Sequence, residues 1–277
     1  MKILYQGFPG AYSHLAAQEV FPEIEVMPCN TFEDCFKLCV ENSEYNCIIP
    51  VENSIAGRVA DTQYLMNKYK LQISAEHFQQ VSHNLIANKS TVLSKIKSVR
   101  SHSQAISQCQ KIISKYKFST IVAADTAGSA KYLSENKSSS EAAIASSLAA
   151  KIYNLKILKK NIEDETGNVT RFLIMGKKKS QPTYNKKKYI TSCIFKVKNK
   201  PAALYKCLGG FATNNVNLSK LESFSDKNSF EQYLFICDIY GHIEDPKVQK
   251  SLEELGFHTV SLDILGVYQA SNFRKIK

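Results

Sequence analysis

Short apolar runs alternate with helical patterns along the first part of the 277-residue chain. The short runs predict strands, and apolar residues that recur every three or four positions predict helices between them. The predicted strands are 2–5, 25–27, 47–51, 98–100 and 120–123, and the predicted helices are 13–21, 31–42, 58–69, 103–116, 126–136 and 140–153. Strands that alternate with helices indicate an α/β architecture with a largely parallel sheet.

Two stretches interrupt this alternation. Residues 71–87 are predicted to form a long, mostly extended connection, and residues 156–175 return through Gly167 to an apolar strand at 172–175. Such connections suit two lobes that are joined by crossing strands. We therefore expect a catalytic domain over residues 1–178, with its site in a cleft between the lobes.

The last third of the chain has a different pattern. Residues 179–188 are basic and contain a proline, which is typical of a linker. Beyond it, strands are predicted at 189–197, 216–224, 230–240 and 259–268, helices at 203–211 and 248–255, and a turn at 226–228. The order βαββαβ predicts a small ferredoxin-like α+β domain over residues 189–270, an antiparallel sheet with two helices on one face. Pro201 is expected in the first turn of its first helix.

Composition narrows the functional classes. The chain is 44% hydrophobic and 22% charged, and it has no apolar run near the ~20 residues of a membrane span. Its first residues turn polar too early for a signal peptide. A cytoplasmic protein is therefore expected. The net charge of +11 is spread over both parts without a basic stripe interleaved with aromatics, so no nucleic-acid partner is expected. Eight scattered cysteines without a Cys-x-x-Cys pair predict reduced thiols and no metal site.

Four polar segments fall at or near the ends of predicted strands. They cover residues 7–13, 50–54, 101–109 and 168–172, and they are rich in Ser, Thr, Asn and Gln with a single arginine, Arg171. In α/β sheets, ligands bind at the carboxyl ends of strands. Uncharged donors and one guanidinium predict a site for a small carboxylate compound that needs no cofactor.

Five segments, in this order, resemble those of one known family. They are Tyr12-Ser13, Pro50-Val51-Glu52-Asn53-Ser54, Ser101-His102-Ser103-Gln104 with Gln108-Cys109, Asp125-Thr126-Ala127-Gly128-Ser129-Ala130, and Thr170-Arg171-Phe172. Over nearly its whole length, the chain is similar to prephenate dehydratases with a C-terminal ACT regulatory domain. One position departs from the family's usual Ser-His-Pro-Gln, because Ser103 replaces the proline.

The resemblance implies a two-lobed, periplasmic-binding-protein-like catalytic domain that converts prephenate to phenylpyruvate, CO₂ and water in phenylalanine biosynthesis. It implies Thr170 and Arg171 as catalytic residues. Thr170 is expected to contact the departing hydroxyl, and Arg171 to hold the pyruvyl carboxylate. The expected substrate-binding residues are Ser13, Asn53, Ser54, Ser101, Gln104, Gln108, Thr126 and Phe172.

The ACT resemblance implies L-phenylalanine as an effector and a homodimer or homotetramer. The expected effector-binding residues are Ala203, Leu204, Asn217, Leu218, Glu222 and Ser223. Two departures accompany them: the family's Gly-Ala-Leu is Ala202-Ala203-Leu204 here, and its Glu-Ser-Arg-Pro is Glu222-Ser223-Phe224-Ser225.

Several alternatives stay open at the level of sequence. Ser101 with Gln104 also fits a helix capping box, and Asp125 or Thr126 also fits an N-cap. Arg171 could instead pair with Glu52 or Glu165. Arogenate, which carries an ammonium that Glu52 could bind, is the alternative substrate, and a non-catalytic two-lobed binding or sensor module is the alternative class.

Overall fold

The computed structural model describes residues 1–59, 61–179, 181–185, 187–226 and 229–274. Among these residues, the strands form three sheets. The first two carry the α/β part of the chain and the third carries the C-terminal part. Together they confirm the predicted fold class, a two-lobed α/β domain followed by a small α+β unit.

The first sheet defines one lobe. Its strand order is β2-β1-β3-β11-β5, with the short strand β4 paired to β3, and β1 and β2 are parallel. The strands are β1 (Lys2–Gln6), β2 (Val26–Cys29), β3 (Tyr45–Asn53), β4 (Gly57–Arg58), β5 (Gln72–Gln80) and β11 (Val169–Gly176), and the helices α1 (Tyr12–Val20), α2 (Phe32–Glu41) and α3 (Thr62–Tyr69) lie between them in sequence. At the start of α2, Thr31 and Asp34 form a capping box.

The second sheet defines the other lobe. Its strand order is β10-β6-β9-β7-β8; β7 is parallel to β8 and β9, whereas β6 is antiparallel to β9 and β10. The strands are β6 (Asn84–Ala87), β7 (Ser98–Ser101), β8 (Ser119–Val122), β9 (Glu141–Ala145) and β10 (Lys156–Lys159). The helices are α4 (Ser103–Ser107), α5 (Gln110–Tyr116), α6 (Thr126–Asn136) and α7 (Ser147–Ile152), with a 3₁₀ turn at Leu93–Lys95.

Two of the predicted helices were wrong in this part. The helix predicted at 140–153 is strand β9 followed by the shorter helix α7. Alanines favour a helix locally, but Ala142 and Ile144 enter one hydrophobic core and Ala143 and Ala145 another, so alternate residues fill opposite faces of the sheet. The helix predicted at 103–116 is broken into α4 and α5. The stretch 71–87 is mostly extended, as predicted, and forms strands β5 and β6.

The third sheet is antiparallel in every strand pair described, with the order β13-β14-β12-β15. Its elements are β12 (Tyr189–Val197), α8 (Ala203–Thr213), β13 (Leu218–Asp226), β14 (Ser229–Tyr240), α9 (Pro246–His258) and β15 (Thr259–Gln269). Cys207 and Phe211 of α8 and Leu255 of α9 share one core with sheet residues such as Phe195, so both helices cover the same face, as expected. Lys227 and Asn228 of the predicted turn lie outside the described residues.

Helix α8 begins at Ala203, as the pattern predicts, but Pro201 does not lie in its first turn. Its N-cap is Ala202, with φ +59° and ψ +19°, so Pro201 precedes the helix instead of occupying its first turn. An L-residue other than glycine is disfavoured in this left-handed conformation. The resemblance places a glycine in the family's pattern at this position, which suits the backbone observed.

The chain divides into two compact units. One comprises Met1–Cys35, Ile48–Val59 and Phe78–Phe172, and the other Phe36–Cys47, Ala60–His77 and Leu173–Lys277. Every predicted catalytic and substrate-binding residue falls in the first unit. The domain limits at residues 178 and 189 stay predictions.

All eight cysteines are buried free thiols, as expected from their scatter. Within the described residues, no helix is long and apolar enough to cross a membrane.

Candidate active site

Asn53 and Thr170 meet where β3 ends beside the start of β11. The Asn53 amide nitrogen donates to Thr170 Oγ1 at 2.9 Å and to Asn168 Oδ1 at 2.6 Å. Its Oδ1 accepts from the backbone N–H groups of Ile55 at 3.0 Å and Ala56 at 2.7 Å. The Asn53 side chain is therefore held at both ends.

The contact with Asn53 decides how the Thr170 hydroxyl can act. A threonine hydroxyl has one proton and two lone pairs. The bond from Asn53 occupies one lone pair of Oγ1 and leaves the proton to be donated to another acceptor. Thr170 is 9% exposed, so a substrate oxygen that reaches it meets a largely dry hydroxyl.

Ser54 secures the same corner from the other side. Its hydroxyl donates to Gly167 O at 3.0 Å and accepts from Val169 N at 2.9 Å, and its own N–H donates to Val169 O. These bonds join the end of β3 to the segment that leads into Thr170. In this structure Ser54 thus organises the backbone around the threonine.

Gln108 belongs to the other lobe, between α4 and α5. Its Oε1 accepts from Asn168 Nδ2 at 2.8 Å and lies 2.9 Å from His83 Nε2. On the far side of the imidazole, Nδ1 lies 3.0 Å from the Tyr12 hydroxyl, which also lies 2.7 Å from Ser82 O. Side chains of both lobes are thereby linked in one hydrogen-bonded series.

A cavity of ≈ 340 Å³ lies beside this series. Its lining combines the loop after β3 with helix α4 and the segment before β11: Ile55, Ala56, Gln104, Ser107, Gln108, Asp164 and Glu165. Two of the predicted substrate-binding residues, Gln104 and Gln108, therefore line it. Asn53 and Thr170 are not among its lining residues and are joined to Gln108 through Asn168.

Arg171 follows Thr170 on β11, but its side chain is almost entirely buried. Its guanidinium donates to Glu52 Oε1 at 2.9 Å, and the two side chains are 2% and 35% exposed. This is one of the alternatives that the sequence left open. The predicted bond to a substrate carboxylate stays a prediction, and the ion pair fixes β3 and β11 next to the Asn53–Thr170 contact.

Four predicted substrate-binding residues lie away from the lining of this cavity. Ser101 is fully buried and donates to Ile144 O at 2.6 Å; the N-cap of α4 is His102, whose Nδ1 accepts from Gln104 N. Phe172 is 1% exposed, and Ser13 is buried in α1. Thr126 opens α6, whose N-cap is Asp125.

Side chains cap the first turns of α5, α6 and α7. Asp164 accepts from the N–H groups of Gln110 and Lys111 at 2.7 and 2.9 Å. Ser146 caps α7, accepting from Ala149 N, and its hydroxyl donates to Gly10 O at 2.6 Å. At the start of α6, the Gly128 N–H likewise donates to the Asp125 side chain.

Burial shifts the ionisation of two side chains in this series and of one thiol beside it. Burial lowers the pKa of His83, against smaller opposing effects of the Gln108 bond and Glu163, which favours the neutral imidazole. Burial raises the pKa of Tyr12 well above 10. Burial also raises the pKa of Cys109, so that this thiol stays protonated. No group of three or more His, Cys, Asp or Glu side chains that could hold a metal occurs within the described residues.

The predicted effector-binding residues lie in the second unit. Ala203 and Leu204 begin α8, Leu218 begins β13, and the Asn217 Oδ1 accepts from Leu218 N at 2.9 Å. On β13, beside Ser223, Glu222 accepts from Gln63 Nε2 at 2.7 Å and lies 3.3 Å from Lys220 Nζ. Glu222 is therefore already bonded within the chain.

The bonds that join His83 and Tyr12 in one series were not predicted from the sequence. Asn168 was part of the polar segment 168–172, but no separate role was expected for it. His83 lies between two strands in a stretch that the pattern assigned to a connection, so nothing local marked it. Tyr12 was part of a motif, but its partner is 71 positions away in the chain. Only the fold reveals such a pair.

Comparisons with known proteins bear on the family of the chain. A family model described as prephenate dehydratase matches residues 3–180. A bifunctional N-acyl-homoserine lactone acylase/prephenate dehydratase from Komagataeibacter europaeus is 38% identical over 273 residues, covering 99% of this chain and 97% of that protein. A prephenate dehydratase from Methanocaldococcus jannaschii is 36% identical over 272 residues, covering 96% and 97%.

A solved structure gives the same result for the fold. The crystal structure of prephenate dehydratase from Arthrobacter aurescens in complex with L-Phe superimposes with a TM-score of 0.92 at 25% identity, covering 100% of this chain and 92% of that one.

Proposed function

The chain belongs to the prephenate dehydratase family, whose reaction converts prephenate into phenylpyruvate, carbon dioxide and water, and we propose that Thr170 is the hydrogen-bond donor to the departing hydroxyl. The observation that carries this proposal is the bond from Asn53 to Thr170 Oγ1. It leaves the hydroxyl proton as the part of Thr170 that a substrate oxygen can use.

The reaction needs little more than positioning and a donor. Loss of the ring carboxylate as CO₂ leaves its electron pair to complete the aromatic ring, while the ring hydroxyl departs with the electrons of the broken C–O bond. A prephenate dianion thus gives a phenylpyruvate monoanion, CO₂ and hydroxide, and one proton from solvent completes the water. Aromatisation supplies the driving force, so the protein stabilises the charge that develops on the departing oxygen.

Asn53 strengthens this role of Thr170. A threonine is a very weak acid, so it assists only as charge develops on its partner. The amide N–H of Asn53 faces the oxygen that becomes more negative as Thr170 donates, which stabilises the transition state more than the ground state. The buried Arg171–Glu52 pair holds the two strands that carry these residues.

We place the carboxylate recognition of the substrate at Gln104 and Gln108, which line the cavity. Neutral donors suit the carboxylate that must leave, because a tight ion pair with it would stabilise the ground state. Three further expectations stay predictions. Arg171 is predicted to bind the pyruvyl carboxylate, and the protein is predicted to be cytoplasmic. The remaining predicted substrate contacts are Ser13, Ser54, Ser101, Thr126 and Phe172.

We further propose that the C-terminal unit is an ACT domain that binds L-phenylalanine as a feedback effector. Its βαββαβ order and the L-Phe in the Arthrobacter aurescens relative support this assignment. The proposed ligands are Ala203, Leu204, Asn217, Leu218, Glu222 and Ser223. A homodimer or homotetramer is part of the same proposal, because ACT-type effector sites commonly form between paired copies.

The experiment follows phenylpyruvate formation from prephenate, with arogenate as the comparison substrate. Thr170→Ala should lower kcat about a hundredfold or more, the scale of a lost proton-donating group, and Thr170→Ser should retain most of the rate because it keeps the hydroxyl. Thr120→Ala, at an exposed threonine of β8, is the matched control and should be unaffected. A Thr170→Ala enzyme with a near-normal kcat contradicts the assignment.

A further inference from the structure

One series of hydrogen bonds connects Asn53 with Tyr12 through three other side chains. In order, Asn53 donates to Asn168 at 2.6 Å, Asn168 donates to Gln108 at 2.8 Å, Gln108 lies 2.9 Å from His83, and His83 lies 3.0 Å from Tyr12. Each amide in it could in principle face either way, because its oxygen and nitrogen differ mainly in what they bond. The direction of the whole series therefore depends on an anchor.

The anchor is the pair of backbone N–H groups of Ile55 and Ala56. Both donate to Asn53 Oδ1, at 3.0 and 2.7 Å, and a backbone N–H cannot accept a bond. Asn53 must therefore present its NH₂ to Asn168. If Asn53 were turned round, its NH₂ would face two donors.

The fixed orientation of Asn53 also fixes the orientations of Asn168 and Gln108. Asn168 accepts from Asn53 with its oxygen, so its nitrogen faces Gln108 and must find an acceptor there. Gln108 consequently presents Oε1 to Asn168 and to His83. Among the described residues, none is bonded to the Gln108 NH₂, and Gln108 lines the cavity.

The orientation of Gln108 in turn decides the tautomer of His83. An amide oxygen only accepts, so Nε2 of the imidazole must carry a proton and donate it. The ring is 3% exposed, and burial favours its neutral form. Nδ1 is then an acceptor, and the Tyr12 hydroxyl, 3.0 Å from Nδ1 and 2.7 Å from Ser82 O, shares its one proton between these two acceptors.

We propose that His83 is a positioning residue for substrate recognition, because its Nε2–H holds Gln108 Oε1 and so directs the Gln108 NH₂ into the cavity as a donor to a substrate carboxylate. This inference rests on the proposed function for the identity of the substrate. The geometry behind it does not involve the reacting atoms. His83 therefore acts through Gln108 and not on the substrate itself.

The first test needs no variant and no catalysis. In ¹⁵N-histidine-labelled protein at neutral pH, two-bond ¹H–¹⁵N correlation spectra should show His83 as the neutral tautomer with the proton on Nε2. A spectrum of the Nδ1–H tautomer overturns the proposal. Assignment by loss of the signals in His83→Gln separates this ring from the other five histidines.

The second test compares His83→Gln with His83→Asn, two amides that differ by one methylene. The glutamine amide reaches the position of Nε2 and can donate to Gln108, whereas the asparagine amide is too short to do so. We expect KM for prephenate within about threefold of wild type for His83→Gln. We expect His83→Asn to raise KM about tenfold to a hundredfold, the scale of one lost hydrogen bond to a charged group, with kcat nearly unchanged.

The outcomes separate this inference from the proposed function. Equal KM in both variants, or a loss confined to kcat, overturns the positioning role. His258→Asn, at the end of α9 in the other unit, is the control for a general effect of losing an imidazole. If wild-type protein makes no phenylpyruvate while His83 shows the Nε2–H tautomer, the proposed function fails and the orientation of Gln108 stands.

Discussion

The cavity region and the proposed effector region differ in how their motif residues are engaged. Around the cavity, Asn53, Asn168 and Gln108 bond one another in a fixed direction that leaves the Thr170 hydroxyl and the Gln108 amide as donors. In the proposed effector region, Glu222 on β13 is bonded to Gln63, and Ala202 at the N-cap of α8 has a left-handed backbone conformation. One region has its donors oriented in advance, whereas the other has a bonded carboxylate and a strained start to its helix.

A motif can therefore match in its residues and still differ in whether the polar groups of those residues are available to bond a ligand. Oriented donors cost the substrate little reorganisation, which is the condition for efficient transition-state stabilisation. A ligand of Glu222 must instead replace the bond from Gln63. We therefore expect the catalytic role of the first region to be more sensitive to single isosteric changes than the effector role of the second.

The largest effect should come from Asn53→Asp. The aspartate keeps an oxygen for the N–H groups of Ile55 and Ala56, but it loses the donor to Thr170 and Asn168. Thr170 then donates to the carboxylate instead of to the substrate, so kcat should fall about a hundredfold, or ~2.7 kcal/mol. Steady-state kinetics with prephenate measure this.

Asn42→Asp provides the matched control for that change. The Asn42 Oδ1 accepts from Glu44 N in an exposed turn, so the aspartate keeps the bond and kcat should not change. If Asn53→Asp behaves like Asn42→Asp, the cavity region does not depend on oriented donors and the contrast between the two regions is lost.

The next effect concerns Gly10, where the β1–α1 loop meets helix α7. Its φ is +93°, and an added Cβ would lie 2.6 Å from Ala149 Cα. Gly10→Ala should lower the free energy of unfolding by roughly 2 kcal/mol, since backbone strain and overlap with backbone add together. Denaturant unfolding measures the change.

Gly57→Ala separates those two causes. Gly57 also has a positive φ, +79°, but an added Cβ meets nothing within 4 Å. It should therefore show only the conformational cost, about 1 kcal/mol. Equal losses of unfolding free energy in Gly10→Ala and Gly57→Ala would contradict this, because the overlap with Ala149 would then cost nothing.

The smallest effect has the opposite sign and belongs to the third sheet. Ala202 has φ +59° at the N-cap of α8 without a side-chain cap. Ala202→Gly should raise the free energy of unfolding by about 1 kcal/mol, because glycine tolerates this conformation. Thermal or denaturant unfolding of the full chain measures the gain.

Ala212→Gly, inside the same helix, is the control and should lower the free energy of unfolding by up to about 1 kcal/mol. A loss of stability in both variants would show that the backbone at Ala202 is not strained, and the two regions would then differ only in their bonding.

The motif segments predicted correctly which residues lie together where the side chains act near their own strand ends. Asn53, Ser54 and Thr170 lie together because β3 and β11 are neighbours in the first sheet. Ser101 was harder to place, since whether a residue at a strand end faces solvent or a neighbouring carbonyl depends on the strand beside it, here β9. The alanine-rich stretch that forms β9 was mistaken for a helix for the same reason.

The α/β and βαββαβ patterns, the order of the motifs and hence the family could be predicted from the amino-acid sequence, because periodicity and motif order are local properties of the chain. Tertiary structure alone decided that Arg171 pairs with Glu52, that Ala202 takes a positive φ, and that His83 completes the series to Tyr12. These features depend on which groups are brought within bonding distance across long separations. Hydrogen-bond direction is a property of the assembled neighbours and not of any one residue.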